Sequence, residues 1–73
     1  MQLVWEHFLI KTAIQELGGK AKTNQIQNKM KEYGHTLSEQ YIEHYLFEMR
    51  ANGLVDKTPQ GEWVLNDLSL IHI

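Results

Sequence analysis

The sequence predicts a single, mainly α-helical α+β domain in which three helices precede a C-terminal β-hairpin. Apolar residues recur every three or four positions through residues 3–17, 24–33 and 38–52, the period of helices that bury one face. Residues 54–57 and 62–66 are rich in β-type side chains and flank a turn that contains proline and glycine. The 73 residues provide one small domain and no room for a second.

The first helix is predicted over residues 3–17. Its inward stripe consists of residues at three- and four-residue spacing: Ile10, Ala13, Ile14 and Leu17. The pair Gly18-Gly19 should end this helix, because glycine adopts the left-handed conformation of a helix C-terminus without steric cost.

The second and third helices are short and closely connected. Thr23 is the expected N-cap of the second helix, over residues 24–33, because its hydroxyl can accept from the free amides of the first turn. The third helix, over residues 38–52, is capped either by Thr36 in a capping box or by Ser38. The inward residues of the two helices are Ile26, Met30 and Tyr33, then Ile42, Leu46 and Met49.

Two strands, at residues 54–57 and 62–66, are joined by the turn Thr58-Pro59-Gln60-Gly61. Proline pre-sets φ at the start of such a turn, and glycine can take the positive φ that hairpins require. Trp63 and Leu65 alternate with Val64, so one face of the hairpin should lie on the helices. We expect Trp63 to fill the seam between the hairpin and the helices. Residues 67–73 form an apolar tail.

Four motifs resemble bacterial winged-helix (helix-turn-helix) domains of the MarR, ArsR and PadR transcriptional regulators. They are Leu17-Gly18-Gly19, the pair Ile26 and Met30, Leu46-x-x-Met49, and the junction Asn52-Gly53-Leu54-Val55 before the hairpin. The resemblance spans residues 10–65. It implies a homodimeric protein of bacterial type that binds double-stranded DNA and regulates transcription. A cytoplasmic location is the default, because the sequence has no cysteine and no signal-peptide pattern.

The resemblance also implies which residues would contact DNA. In a docked helix-turn-helix, the N-terminal half of the second motif helix enters the major groove. By position, the groove-facing residues would be Ser38, Gln40, Tyr41 and His44. Phosphate contacts would come from Lys22, Lys29, Lys31 and Lys57. The alternative is that these lysines form an ordinary solvated surface.

The charge of the third helix favours a different partner. The chain has a formal net charge of −2, and this helix carries Glu39, Glu43 and Glu48 against the single cation Arg50. Such a helix is a poor electrostatic match for a duplex. The second hypothesis is therefore a non-catalytic protein-interaction module. Phe47 either packs under the hairpin or extends that interaction surface.

A second apolar surface is predicted on the first helix. About 100° of rotation per residue places four residues away from the inward stripe: Val4, Trp5, Phe8 and Leu9. Burial of one large side chain is worth roughly 1.5–3 kcal/mol, so this surface should be covered. The favoured cover is a homodimer that also uses Leu70 and Ile71 of the tail. The alternative is intramolecular packing of the tail.

The composition argues against catalysis, cofactors and membranes. The chain has no cysteine, and its four histidines show neither i, i+4 pairing nor a zinc-protease context. Gly18-Gly19 follows a helix and lacks the Lys-Ser/Thr of a phosphate loop. Residues 1–10 are apolar but interrupted by Glu6 and His7, well short of the roughly 20 residues that span a bilayer. We expect no enzyme, cofactor, metal or small-molecule substrate.

Overall fold

A computed structural model describes residues 5–66. Six elements follow one another in this range: α1 (Trp5–Glu16), β1 (Lys20–Ala21), α2 (Thr23–Glu32), α3 (Glu39–Ala51), β2 (Val55–Lys57) and β3 (Trp63–Leu65). The prediction of a mainly helical α+β domain with three helices is confirmed. The predicted start of the first helix and the tail at residues 67–73 lie outside the described residues.

The strands form a three-stranded antiparallel sheet in the order β1-β3-β2. The prediction of a two-stranded hairpin was therefore wrong by one strand. β1 has only two residues, too few to show the alternating pattern of a strand in the sequence. It forms because its residues pair with β3, with Lys20 opposite Val64 and Ala21 opposite Trp63. β3 is consequently the central strand, with both of its edges paired.

Each helix ends one residue before the predicted position, at the expected glycines. α3 ends where Gly53 takes a φ of 76°, and the Leu54 amide donates to the Met49 carbonyl at 2.9 Å. This is the 6→1 hydrogen bond of a Schellman motif. The motif requires one residue in the left-handed conformation, which glycine adopts readily. The same bond closes α1 and α2, from Gly19 to the Ile14 carbonyl and from His35 to the Met30 carbonyl, each at 2.8 Å.

The helix starts follow the prediction only for α3. Ser38 is its N-cap, because the Ser38 Oγ accepts from the Tyr41 amide at 3.2 Å. Thr23, expected to cap α2, is instead its first helical residue, and Lys22 holds the cap position. The Gln25 side chain accepts from the Lys22 amide at 2.9 Å. The prediction failed because Thr23 has a tertiary partner, the indole N–H of Trp63.

The core lies where the three helices meet the sheet. Trp63 is fully buried in it, as predicted, together with most residues of the predicted inward stripes; Leu17 and Tyr33 are only partly buried and pack against the core. Leu9 was assigned to the outer face of the first helix, and this was wrong, because only 9% of it is exposed. It lies one turn before Ala13, which places it at the edge of the inward stripe.

The turn between β2 and β3 closes as predicted. The Thr58 amide donates to the Glu62 carbonyl at 2.8 Å, and the Gly61 amide donates to the Thr58 carbonyl at 2.9 Å. Gly61 has a φ of 83°, a conformation that a side chain would strain. The turn brings Lys57 directly opposite Trp63.

Tyr33 connects the end of α2 to α1, because its hydroxyl donates to the Glu16 carboxylate. Burial raises the pKa of Tyr33 from 10.0 to about 12, and the hydrogen bond and charge of Glu16 act in the same direction. The folded pKa is therefore above the unfolded value. The stabilisation from this group is complete below pH 10 and is lost as the pH rises to about 12.

We expect Tyr33→Phe to make the free energy of unfolding less sensitive to pH between about 10 and 12, since the phenol no longer ionises on unfolding. Urea unfolding followed by circular dichroism across this range measures the effect. Tyr41→Phe is the matched control, because Tyr41 is largely exposed. Identical pH dependence in the wild type and Tyr33→Phe would contradict the assignment.

Candidate functional site

The outward face of α3 carries polar and aromatic side chains together. Gln40, Tyr41, His44 and Phe47 are all exposed there. Tyr41 is 61% exposed and Phe47 is 51% exposed. Gln40, Tyr41 and His44 line a shallow, open depression of about 340 Å³. This surface contains three of the four residues assigned to the major groove. The fourth, Ser38, caps the same helix.

Two of the three α3 carboxylates have partners inside the domain. Glu43 accepts a hydrogen bond from the Thr23 hydroxyl at 3.3 Å. Glu48 lies 3.1 Å from the His7 Nε2 and 3.6 Å from the His44 Nε2, through its two different oxygens. Glu39 is exposed in the first turn, where the helix dipole favours negative charge. Much of the acidity of α3 therefore serves tertiary contacts, which the sequence prediction missed.

His7 is the residue that sequence reasoning overlooked most clearly. Its side chain is buried, and its Nδ1 has no hydrogen-bond partner within the described part of the chain. Since Nε2 faces the Glu48 carboxylate, a neutral ring carries its proton there and leaves Nδ1 as an acceptor. The ring packs edge-on against Tyr45 at 5.2 Å. Burial raises the pKa of the Tyr45 phenol, and Glu6 adds to that shift, so the phenol stays neutral.

The lysines of α2 differ in their availability. Lys29 lies 3.3 Å from Glu32 and 3.6 Å from Glu16, so its charge is compensated within the domain. Lys31 is exposed and has no carboxylate partner within residues 5–66. It lies about 13 Å along the helix from Lys22, at 1.5 Å per residue. The structure therefore does not bring the three lysines into one cluster.

Lys22 and Lys57 flank the middle of α3. Lys22 precedes Thr23, whose hydroxyl contacts Glu43 of α3. The Lys57 ammonium lies 5.9 Å from the ring centroid of Phe47 on α3. Neither lysine has a carboxylate partner in the described range 5–66. These two cations are the members of the predicted phosphate-binding set that accompany the outward face of α3.

Phe47 both packs under the hairpin and contributes to the exposed surface of α3. Its ring packs edge-on against Trp63 at 5.4 Å, so part of it lies under the hairpin. The Lys57 ammonium also lies 5.0 Å from the Trp63 ring, which places three side chains in one cation–π cluster. Half of Phe47 nevertheless remains exposed. It is a structural residue that still contributes apolar area to the surface of α3.

The apolar surface on α1 is smaller than predicted. Trp5 and Phe8 are stacked at 5.4 Å and are 60% and 55% exposed. Leu9 belongs to the core. Val4, Leu70 and Ile71 lie outside the described residues. Beside Phe8 is a cleft of about 110 Å³, which is lined by His7, Phe8, Lys11, Met49 and Leu54.

No group of three histidine, aspartate or glutamate side chains within residues 5–66 is close enough to hold a metal ion. None of the described helices has both the length and the apolar character to cross a bilayer.

No protein-family model, curated protein or solved structure matches the chain. The chemistry of α3 and of the surfaces around it is therefore the basis for a functional proposal.

Proposed function

We propose that the chain is a winged-helix domain that binds double-stranded DNA through α3 and the β2–β3 hairpin, as a small transcriptional regulator. The order α1-β1-α2-α3-β2-β3 supports this arrangement, with α2 and α3 as the helix-turn-helix and the hairpin as the wing. The connection between α2 and α3 is held by Gln27, whose side-chain amide donates to the Leu37 carbonyl at 2.9 Å. A defined helix pair is what docking in a groove requires.

The observation that carries the proposal is the distribution of charge partners around α3. Glu43 and Glu48 are held by Thr23, His7 and His44, so their carboxylates are engaged within the protein. Lys22 and Lys57 beside the same helix have no carboxylate partner among residues 5–66. The ammonium groups of Lys22 and Lys57 therefore add positive charge beside α3 that no carboxylate of this range pairs, and both can contact phosphates.

The exposed side chains divide into two roles. Lys22 and Lys57 would contact phosphates, which position a protein on the duplex without reading its sequence. Gln40 would read a base edge, because its amide matches the N6 and N7 atoms of adenine. Ser38 accepts from the Tyr41 amide, so only its hydroxyl proton remains for a phosphate. Sequence preference would therefore rest mainly on Gln40 and His44.

Lys22→Gln and Lys57→Gln should each weaken duplex binding about three- to tenfold, because each removes one phosphate contact. Each should also lower the slope of log affinity against log salt by about 1. Fluorescence anisotropy of a labelled mixed-sequence duplex, titrated at several salt concentrations, measures both quantities. A circular dichroism melt of Lys57→Gln separates lost binding from loss of the cation–π cluster with Trp63.

Lys29→Gln is the matched control, because Lys29 lies on the same helix as the exposed Lys31 but is paired with Glu16 and Glu32. Its affinity should stay within about twofold of the wild type. Absence of saturable binding below about 100 μM at low salt would rule out the DNA proposal, since even nonspecific binders respond there.

A protein-interaction module on the same scaffold is the second candidate. It is favoured by the exposure of two large aromatics on α3, with Tyr41 at 61% and Phe47 at 51%. Glu39→Gln separates the two candidates, because Glu39 is exposed and its replacement leaves the internal pairs intact. If DNA is the ligand, duplex affinity rises a few fold as a like charge is removed. A module that binds protein alone shows no duplex binding in either form.

A further inference from the structure

The cleft beside Phe8 has the composition of a surface that is normally covered. Its walls include the side chains of Phe8 and Met49 and the half-buried Leu54. Phe8 in turn stacks on Trp5, and both aromatics are more than half exposed within the described chain. Exposed apolar area costs free energy in water, so a segment that covers these side chains gains stability there.

The described chain ends next to this cleft. The Asn66 amide donates to the Leu54 carbonyl at 3.0 Å, and Leu54 forms one wall of the cleft. The next residues, 67–73, have the sequence Asp-Leu-Ser-Leu-Ile-His-Ile. Seven extended residues reach at most about 25 Å. This length is ample, because Asn66 already contacts Leu54 at the edge of the cleft.

The segment and the cleft are complementary in character. Four of the seven residues at 67–73 are large aliphatics, which match the apolar walls. The segment begins with Asp67, whereas Lys11 on the cleft has no carboxylate partner within residues 5–66. An aspartate next to this lysine would pair the charge while the aliphatic residues that follow cover the apolar surface.

A second copy of the chain is a weaker candidate for this surface. Because Leu9 belongs to the core, the exposed apolar area comes mainly from Trp5 and Phe8. An aromatic side chain has about 150–250 Å² of surface, and these two are 60% and 55% exposed, so together they provide roughly 250 Å². A stable interface needs about 800 Å² from each partner. A segment joined covalently beside the cleft is instead present at millimolar effective concentration, so a small area suffices.

We propose that residues 67–73 dock in the cleft formed by Phe8, Lys11, Met49 and Leu54 of the same chain, where they cover Phe8 and partly shield Trp5. This interaction is independent of DNA binding by α3. It replaces the homodimer as the cover of the α1 surface, and a dimer is one of the results that the following experiment distinguishes.

The test compares Leu70→Asp with Ser69→Asp in the full chain, since both add one charge to the same segment. Leu70→Asp should lower the thermal midpoint by about 5–15 °C, because a large apolar side chain leaves its contact. It should also raise acrylamide quenching of Trp5 about twofold. Trp63 is fully buried and contributes little to that signal. Ser69→Asp should change neither quantity appreciably.

Two further measurements assign the contact. Trp5→Phe should abolish the quenching difference, because it removes the exposed indole. Leu70→Asp should also be compared in the wild type and in a Phe8→Ala variant. In the Phe8→Ala variant it should lower the thermal midpoint less than half as much, because the proposed contact between Leu70 and Phe8 is already lost. Equal behaviour of Leu70→Asp and Ser69→Asp would overturn the proposal. So would a dimer in analytical ultracentrifugation that dissociates on Leu70→Asp, because the occupant would then be a second copy.

Discussion

Trp63→Ala should remove most of the folding free energy of this domain, at a cost of about 3–5 kcal/mol. Trp63 is the largest fully buried side chain and lies on the central strand, between β1 and β2. It also packs against Phe47 of α3 and hydrogen-bonds to Thr23 of α2. A domain of this length has roughly 4–10 kcal/mol of stability in total, so the variant should lose about half of it or more and unfold well below the wild-type midpoint.

The matched control is Trp5→Ala, the same substitution at an indole that is 60% exposed. It should cost less than half as much, because fewer contacts are lost and no cavity forms in the core. Urea unfolding monitored by far-ultraviolet circular dichroism measures both variants. A Trp63→Ala protein as stable as Trp5→Ala would show that the indole does not hold the sheet against the helices.

Thr23→Val should cost about 1–3 kcal/mol, although it preserves the shape of the side chain. The Thr23 Oγ1 accepts from the Trp63 indole N–H at 3.1 Å and donates to the Glu43 carboxylate at 3.3 Å. The substitution leaves the buried indole N–H without an acceptor, and an unmade buried hydrogen bond costs far more than an exposed one. It also removes the hydrogen bond from Thr23 to the Glu43 carboxylate.

Thr12→Val is the control for this change, because the Thr12 hydroxyl donates to the Phe8 carbonyl on the surface of α1. Its effect should stay within about 0.5 kcal/mol. Denaturant unfolding of the two variants measures the stability difference, and the exchange rate of the Trp63 indole proton reports the bond itself. Equal stability losses would mean that another acceptor replaces the threonine hydroxyl.

The helix ends were predictable because their causes are local. Gly53 supplies the left-handed residue that closes α3, and the bond from Leu54 to Met49 spans five residues. Gly61 does the same for the turn between β2 and β3. Such positions depend on backbone sterics within one segment, so the residue type alone indicates the conformation.

The burial of Leu9 and the position of Thr23 were mispredicted because both depend on distant partners. Leu9 lies at the edge of its helix stripe, and only the packing of the other elements decides whether such a residue is covered. Thr23 meets Trp63, which lies 40 positions later in the chain. β1 was missed for the same reason, since two residues become a strand only when β3 lies beside them.

For the candidate site, Gln40, Tyr41 and His44 were assigned to the outward face of α3 by their position in the helix, and all three are exposed. The partners of the charged side chains on α3 could not be predicted from the sequence. One example is the contact between Glu48 and His7, a residue 41 positions away. The sequence shows only the number of charged residues, whereas the electrostatic potential at a surface depends on how those charges are arranged in space.

The sequence by itself determined the three helices, the turn at residues 58–61, the inward stripes and the central role of Trp63. These follow from side-chain periodicity and local backbone preferences, which act within a few residues. Only the tertiary structure decided that β3 has two neighbours, that Leu9 is buried, and that the ammonium groups of Lys22 and Lys57, unlike that of Lys29, have no carboxylate partner among residues 5–66. Those properties arise from contacts between segments that are far apart in the chain, and no local pattern records them.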